Sequence, residues 1–111
     1  MNKGADRTVL EEIKELRGWL VALNGPLQGK AYRLFAGKTF VGSCPYADLH
    51  LPDSPLESCH FSIRLAAGSA WLSDLDSNSG VFIDGRRIWK EKIIDETQFT
   101  VAGIDFLIKM L

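Results

Sequence analysis

The side chains with the widest chemical repertoire are a cysteine and a histidine that stand next to each other, Cys59 and His60. A general base, a nucleophile or a zinc ligand needs further partners at fixed spacing, and the sequence places none around this pair. The carboxylates of Asp74, Asp76 and Asp84 lack the spacing and the bidentate glutamate of a calcium loop, so they are expected to be solvated turn residues. We therefore predict no catalytic residue, no metal site and no cofactor.

Polar residues that could bind a partner concentrate in short, glycine-punctuated segments. Glu57-Ser58-Cys59-His60 precedes an alternating strand, and Ser77-Asn78-Ser79-Gly80 joins two apolar strands. Gly42-Ser43 follows Val41 further upstream. Asp84-Gly85 predicts a tight hairpin, because this pair tolerates the positive φ angles of a type I′ turn.

The elements that must position these segments are strands. From Gly18 onward apolar residues recur with a period of two, the pattern of half-buried strands. His60-Phe61-Ser62-Ile63-Arg64-Leu65 is the cleanest example of this alternation. Nine to eleven short strands at regular spacing indicate an all-β sandwich or barrel.

Residues 1–17 differ from the rest of the chain. They are highly charged, and their apolar residues Val9, Ile13 and Leu16 follow a helical spacing. We expect a leader, residues 1–17, that is a short amphipathic helix or is disordered. Such a helix is marginal alone, so the leader is a candidate for an intramolecular contact with the domain that follows.

The bulk composition limits the function classes. A chain of 111 residues is long enough for one domain. With 13 basic and 14 acidic residues it lacks the cationic excess of a nucleic-acid-binding protein, so no nucleic-acid partner is expected. No apolar run approaches the roughly 18 residues that span a bilayer, and no membrane insertion is expected. Two cysteines do not form a disulfide framework, which favours a reduced, cytoplasmic protein.

The order and spacing of the glycine segments, the histidine and the Asp-Gly turn resemble the forkhead-associated (FHA) domain family, whose members read phosphothreonine. The family frame is Gly-Arg, then Ser-x-x-His, then Ser-x-Asn-Gly-Thr, then Asn-Gly. The resemblance covers residues 18–110. Within the family, the sequence is similar in type to bacterial members. It implies a two-sheet antiparallel β-sandwich of about eleven strands over residues 18–111, with the loops of His60 and Gly80 at one end.

The resemblance also assigns roles, and it divides the matched positions into two groups. The positions expected to support the loops are Gly42, His60, Gly80, Asp84 and Gly85. The positions equivalent to the phosphopeptide-contacting site are Ser43, Glu57, Ser58, Ser77, Asn78, Ser79 and Val81.

Several of these equivalents lack the chemistry that the family uses on phosphate. Ser43 replaces the arginine, Glu57 replaces a serine and Ser79 replaces the asparagine. Ser43 carries no charge, and a carboxylate at position 57 should repel a phosphate dianion. Ser58 is the alternative hydroxyl if the loop shifts by one residue. Of the nearby cations, Arg64, Arg86 and Arg87 are expected to be solvated surface charges, with an auxiliary role at the loops as the alternative.

These replacements predict an FHA-type protein–protein interaction module for signalling or assembly, with a protein partner bound at the loop end independently of phosphate. A phosphothreonine reader with a rearranged pocket, or a structural scaffold piece of a bacterial secretion machine, are the alternatives.

The strand pattern also predicts which side chains are buried. The three tryptophans, Trp19, Trp71 and Trp89, are expected in the core or at sheet edges. The set predicted to form the core is Leu20, Ala22 or Leu23, Leu34, Phe40, Leu51, Ile63, Leu72, Phe82, Phe99, Val101, Phe106 and Ile108.

Overall fold

The computed structural model describes residues 14–111. Within this range the chain forms eleven strands and a short 3₁₀ turn at Gly25–Leu27. The strands are β1 Leu16–Ala22, β2 Ala31–Phe35, β3 Gly37–Gly42, β4 Leu49–His50, β5 Phe61–Ala66, β6 Ser69–Asp74, β7 Val81–Ile83, β8 Arg86–Ile88, β9 Lys90–Ile93, β10 Gln98–Val101 and β11 Ile104–Met110. The predicted all-β class and strand number are confirmed.

The strands form two sheets. The six-stranded sheet has the order β2-β1-β11-β10-β7-β8, and the five-stranded sheet has the order β4-β3-β5-β6-β9. Every described pairing is antiparallel except β3 with β4, which run parallel with Val41 opposite Leu49. The sandwich is therefore mixed at one edge, where the sequence predicts antiparallel pairing throughout.

The core lies between the sheets and is centred on three phenylalanines. Phe61 of β5 contacts Phe99 and Phe106 of the opposite sheet with ring centroids 5.4 and 5.8 Å apart. All three rings are almost fully buried. Each buried ring contributes roughly 1.5–3 kcal/mol of hydrophobic stabilisation, so this contact fixes how the two sheets face each other.

Most of the predicted core is buried, and two assignments are wrong. Phe40 and Phe82 are only half-buried, while their neighbours Val41 and Val81 are fully buried. A shift of one residue moves a strand side chain to the opposite face, and this shift explains both errors. Of the two alternatives offered at the end of β1, Ala22 is buried and Leu23 is exposed.

The strand β1 begins before the predicted domain boundary. Leu16, placed in the leader by its helical spacing, pairs instead with Phe35 of β2, and Ala36 donates its N–H to the carbonyl of Glu15. The backbone is thus tied into the sheet two residues before Gly18. The rest of the predicted leader helix, including Val9 and Ile13, lies outside the described residues. No helix in residues 14–111 has the length and apolar character to cross a bilayer.

Candidate functional site: the loop rim

One end of the sandwich gathers three loop segments, which we call the loop rim: Gly42–Ser43, Glu57–His60 and Ser77–Gly80. The backbone N–H of His60 bonds the carbonyl of Val41, and that of Leu75 bonds the carbonyl of His60. These bonds bring the ends of β3, β5 and β6 to the same place. The predicted placement of the His60 and Gly80 loops at one end is therefore confirmed.

His60 is the internal brace of the loop rim. Its side chain is fully buried, and its Nδ1 accepts the N–H of Glu57 at 3.1 Å. Its Nε2 lies 3.1 Å from the carbonyl oxygen of Gly80. Because Nδ1 is used as an acceptor, the proton resides on Nε2 and is donated to Gly80. A neutral imidazole thus links two loops that are 20 residues apart in sequence.

Gly42 is required because β3 passes directly against the Glu57–His60 segment. A Cβ at Gly42 would collide with the backbone carbonyl of Ser58. This close approach lets Ser43 and Cys44 donate their N–H groups to the carbonyls of Glu57 and Ser58, each at 3.1 Å. Ser43, predicted at the family's arginine position, is half-buried in this backbone ladder, and Ser58 is exposed.

Glu57 is bound by the facing loop. Its Oε1 accepts the N–H of Asn78 at 3.0 Å, and its Oε2 accepts the N–H of Ser79 at 2.7 Å. These two backbone donors lower the pKa of the Glu57 carboxyl from 4.5 to about 2. Glu57 is therefore an internal anion that occupies the donors of the Ser77–Gly80 segment.

The Ser77–Gly80 segment forms a hydrogen-bonded turn, and only its two middle residues are accessible to a partner. Ser77 is buried, and its Oγ accepts the N–H of Gly80 at 2.8 Å. Gly80 has a φ of 85°, which an L side chain rarely adopts. The side chains of Asn78 and Ser79 remain exposed. These two residues therefore present the polar surface of the segment.

Arg87 contacts the loop rim, so the expectation of a solvated charge is wrong and its contacts favour the alternative, an auxiliary role at the loops. It is half-buried, and its Nη2 donates to the Ser77 carbonyl at 2.8 Å and contacts Asp74 at 3.3 Å. Its guanidinium lies 4.2 Å from the centroid of Trp89. Arg87 thus anchors the Ser77–Gly80 segment through the Ser77 carbonyl. Its charge is neutralised by the Asp74 carboxylate.

Asp74 and Trp89 are the functional neighbours that the sequence interpretation missed. The side chain of Asp74, expected to be solvated, has no exposed surface and accepts the N–H of Ser77 at 3.1 Å. Trp89 is 59% exposed, so it is not a core residue, and it joins β8 and β9, which are the edge strands of the two sheets. The signals present in the sequence are an aspartate three residues before a serine, typical of side chain-capped turns, and the period-two spacing of Arg87 and Trp89.

The remaining predicted positions lie outside the loop rim or contribute no polar group to it. Val81 is fully buried and contributes an apolar side chain. Asp84 and Gly85 have φ angles of 51° and 75° at the exposed tip of the β7–β8 hairpin, about 10 Å of strand away from Gly80.

Two of the candidate arginines also lie away from the rim. Arg86 is exposed and pairs with Glu91 at 3.1 Å. Arg64 lies on the outer face of β5, opposite Lys38 and Trp71. Their expected role as surface charges agrees with these positions.

Comparison with solved structures shows the same fold in several proteins. The FHA domain of CT664 protein from Chlamydia trachomatis is 28% identical, with a TM-score of 0.75 over 84% of this chain and 96% of that chain. The cytoplasmic domain of the T3SS sorting platform protein PscD from P. aeruginosa is 20% identical, with a TM-score of 0.72 over 84% and 79%. A domain solved in a study of phosphothreonine-dependent FHA domain interactions is 23% identical, with a TM-score of 0.75 over 86% and 97%.

The sequence comparison gives the family. No curated protein matches the chain. Residues 22–109, most of the sequence, match the family described as the inner membrane component of T3SS, cytoplasmic domain. The two-sheet fold, the loop rim and this match agree. The chain is a forkhead-associated domain and belongs to the family of T3SS inner-membrane-component cytoplasmic domains.

Proposed function

We propose that this domain is a cytoplasmic protein–protein interaction module of a secretion assembly, and that its loop rim binds a protein partner without needing phosphate on that partner. The observation that carries the proposal is the pair of hydrogen bonds from Asn78 and Ser79 to the Glu57 carboxylate. The family match supports the assembly context. In this role the domain contributes binding and positioning rather than catalysis.

The charge distribution of the loop rim supports independence from phosphate. A phosphate group entering between the two loops meets backbone donors that Glu57 already occupies, and it brings nearly two negative charges next to that carboxylate. Ser43 supplies no cation on the opposite side. The guanidinium of Arg87 is engaged by Asp74 and by the Ser77 carbonyl. Repulsion therefore exceeds attraction unless the loops rearrange.

The surface left for an unmodified partner is polar and uncharged in its outer part. Ser58, Asn78 and Ser79 are exposed side chains that donate and accept hydrogen bonds. Side-chain hydrogen bonds of His60 and Arg87 with the backbone hold the loops that carry them. A preorganised surface of this kind loses little conformational entropy on binding a protein.

A phosphothreonine reader with a rearranged pocket is the second candidate, favoured by one observation. Arg87 already lies at the loop rim and is half-exposed. If Glu57 swung away, Arg87 and the freed N–H groups of Asn78 and Ser79 would together form an anion site. This candidate requires Glu57 to break both of its hydrogen bonds.

Titration calorimetry with a phosphothreonine-peptide library, each peptide paired with its unphosphorylated form, distinguishes the two candidates. The wild-type domain should show no phosphate-dependent binding tighter than about 10 μM, roughly −7 kcal/mol. The triple variant Ser43→Arg, Glu57→Ser, Ser79→Asn should gain phosphothreonine binding, whereas Ser43→Arg alone keeps Glu57 in place and should gain far less. Tight phosphate-dependent binding by the wild type would establish the rearranged pocket instead.

A further inference from the structure

A second surface with a distinct chemistry lies on the outer face of the five-stranded sheet. In the cross-strand register, Lys38 is opposite Arg64, Arg64 is opposite Trp71, and Trp71 is opposite Lys92. The next row contains Phe40, Ser62, Ser73 and Lys90. We call the six larger residues of these rows the basic face: Lys38, Phe40, Arg64, Trp71, Lys90 and Lys92.

The basic face concentrates positive charge in a protein that is slightly acidic as a whole. All four cations are exposed, and none forms an ion pair with any residue in 14–111. Among residues 14–111, the seven basic residues outside this face are outnumbered by eleven acidic residues. Residues 14–111 thus present a cationic face, at whose margin the Asp48 carboxylate accepts the N–H of Phe40 at 2.9 Å, and an anionic remainder. This distribution favours a negatively charged partner for the face.

Edge protection does not account for the whole basic face. Lysines on an exposed edge strand deter pairing with other chains, and this suffices for Lys90 and Lys92 on β9. Arg64, however, lies on β5, the central strand of the sheet. Lys38 directly opposite Arg64 is a like-charge pair that destabilises the sheet slightly. Because β4 pairs with β3 only at the end remote from Lys38, edge protection applies to Lys38 as well. Arg64 on the central strand is the cation that edge protection leaves unexplained, and it supports a role in binding.

The aromatic rings of the basic face distinguish between classes of anionic partner. The Lys38 ammonium lies 5.2 Å from the Phe40 ring centroid, and the Lys90 ammonium lies 5.3 Å from the Trp71 ring centroid. Both rings are half-buried beneath these lysines. Binding to a bilayer surface gains much of its strength from apolar side chains that enter the headgroup region, and these covered rings are not arranged to insert. A cationic surface with shielded rings fits carboxylates on a protein.

We propose that the basic face docks an acidic segment of a protein partner. The three cations of the Lys38–Lys92 row span three interstrand spacings, about 15 Å. That span corresponds to about ten residues of helix or five of extended chain. A carboxylate-rich segment of this length pairs with all three cations at once. The basic face and the loop rim have no residue in common.

The test uses a fluorescein-labelled twelve-residue peptide of alternating Glu and Ser, with a Gln–Ser peptide as its neutral control, followed by anisotropy at low salt. Each of Arg64→Glu and Lys92→Glu should weaken binding of the acidic peptide about tenfold. Lys30→Glu makes the same charge change as Lys92→Glu at an exposed turn before β2, and it should weaken binding less than about twofold. Thermal melts that superimpose on the wild type show that the variants remain folded.

Three outcomes would overturn the proposal. The first is equal weakening by Lys30→Glu and Lys92→Glu, which would reduce the effect to net charge. The second is stronger binding to phosphatidylglycerol vesicles than to the acidic peptide, lost in Arg64→Glu, which would identify a membrane surface as the occupant. The third is a dimer in sedimentation velocity that Arg64→Glu dissociates, which would identify a second copy of the chain.

Discussion

The guanidinium of Arg87 lies 3.3 Å from the carboxylate of Asp74, whose side chain has no exposed surface. Its two carboxylate oxygens accept hydrogen bonds from Arg87 and from the N–H of Ser77. Arg87→Ala should destabilise the domain by about 2 kcal/mol, because it leaves a buried carboxylate without its cation. The free energy of unfolding from urea titrations measures this loss.

The adjacent arginine supplies a matched control for Arg87→Ala. Arg86 forms an exposed pair with Glu91, and Arg86→Ala should change the free energy of unfolding by no more than about 0.5 kcal/mol. Equal effects of the two substitutions would contradict a specific role of Arg87 in holding the loop.

The Glu57 carboxylate makes the stability of the loop rim depend on pH. Its pKa is depressed in the folded protein from 4.5 to about 2, so its contribution is complete above the unfolded pKa near 4.5 and is lost as pH falls towards 2. Wild-type protein should therefore lose more thermal stability than Glu57→Gln between pH 6 and pH 3. Melting temperatures of both proteins across this range provide the measurement.

The comparison with Glu57→Gln isolates Glu57 because the other carboxylates titrate in both proteins. One of them is Asp95, whose pKa is also lowered, mainly by the N–H of Met110. Parallel pH profiles for the two proteins would mean that the hydrogen bonds from Asn78 and Ser79 do not depend on the charge of Glu57.

Gly42 should tolerate no side chain. A Cβ there would be destabilising because it collides with neighbouring backbone, and not because of the φ angle of Gly42. Gly42→Ala forces apart β3 and the carbonyl of Ser58, at a cost of about 1–3 kcal/mol. Amide chemical shifts should change at Glu57 and Ser79, because the loop segment that carries Glu57 moves. Gly29→Ala is the control: its φ is 85° with open space around it, so it strains only its own turn. Unchanged Glu57 and Ser79 shifts in Gly42→Ala would show that the neighbouring backbone yields without moving the rim.

The strands could be predicted from the sequence because the alternation of apolar and polar residues is a local property. Which face of each strand points into the core could not always be predicted. Both core errors fall where a phenylalanine and a valine are adjacent, Phe40-Val41 and Val81-Phe82. Such a pair fits either register locally. Only the packing between the sheets decides that the valine points inward.

The loop rim was only partly predictable for a similar reason. The spacing of Glu57 and His60 identifies one segment, and local turn chemistry identifies Ser77–Gly80. The contacts of Arg87 with Asp74 and Ser77 join residues 13 and 10 positions apart through the hairpin. No local pattern in the sequence reveals that Arg87 contacts the Ser77–Gly80 segment while Arg86 pairs with Glu91.

The role of His60 in bracing the loop rim can be tested by substituting it with alanine, with the same substitution at His50 as the control. His60→Ala removes a fully buried ring and leaves the N–H of Glu57 and the carbonyl of Gly80 without their partner. The cavity and the two lost hydrogen bonds together should cost about 3–5 kcal/mol. His50 is exposed on β4, so His50→Ala should be close to neutral. Urea unfolding measures both changes.

Hydrogen exchange tells whether His60 acts on the rim specifically. If His60 links the two loops, the amides of Glu57, Asn78 and Ser79 should exchange faster in a His60 variant that remains folded, while the amides of β10 and β11 keep their protection. His60→Gln retains polar atoms of similar reach and should recover part of the protection at Glu57. Uniform loss of protection across both sheets would contradict a local brace and indicate that His60 contributes only to the common core.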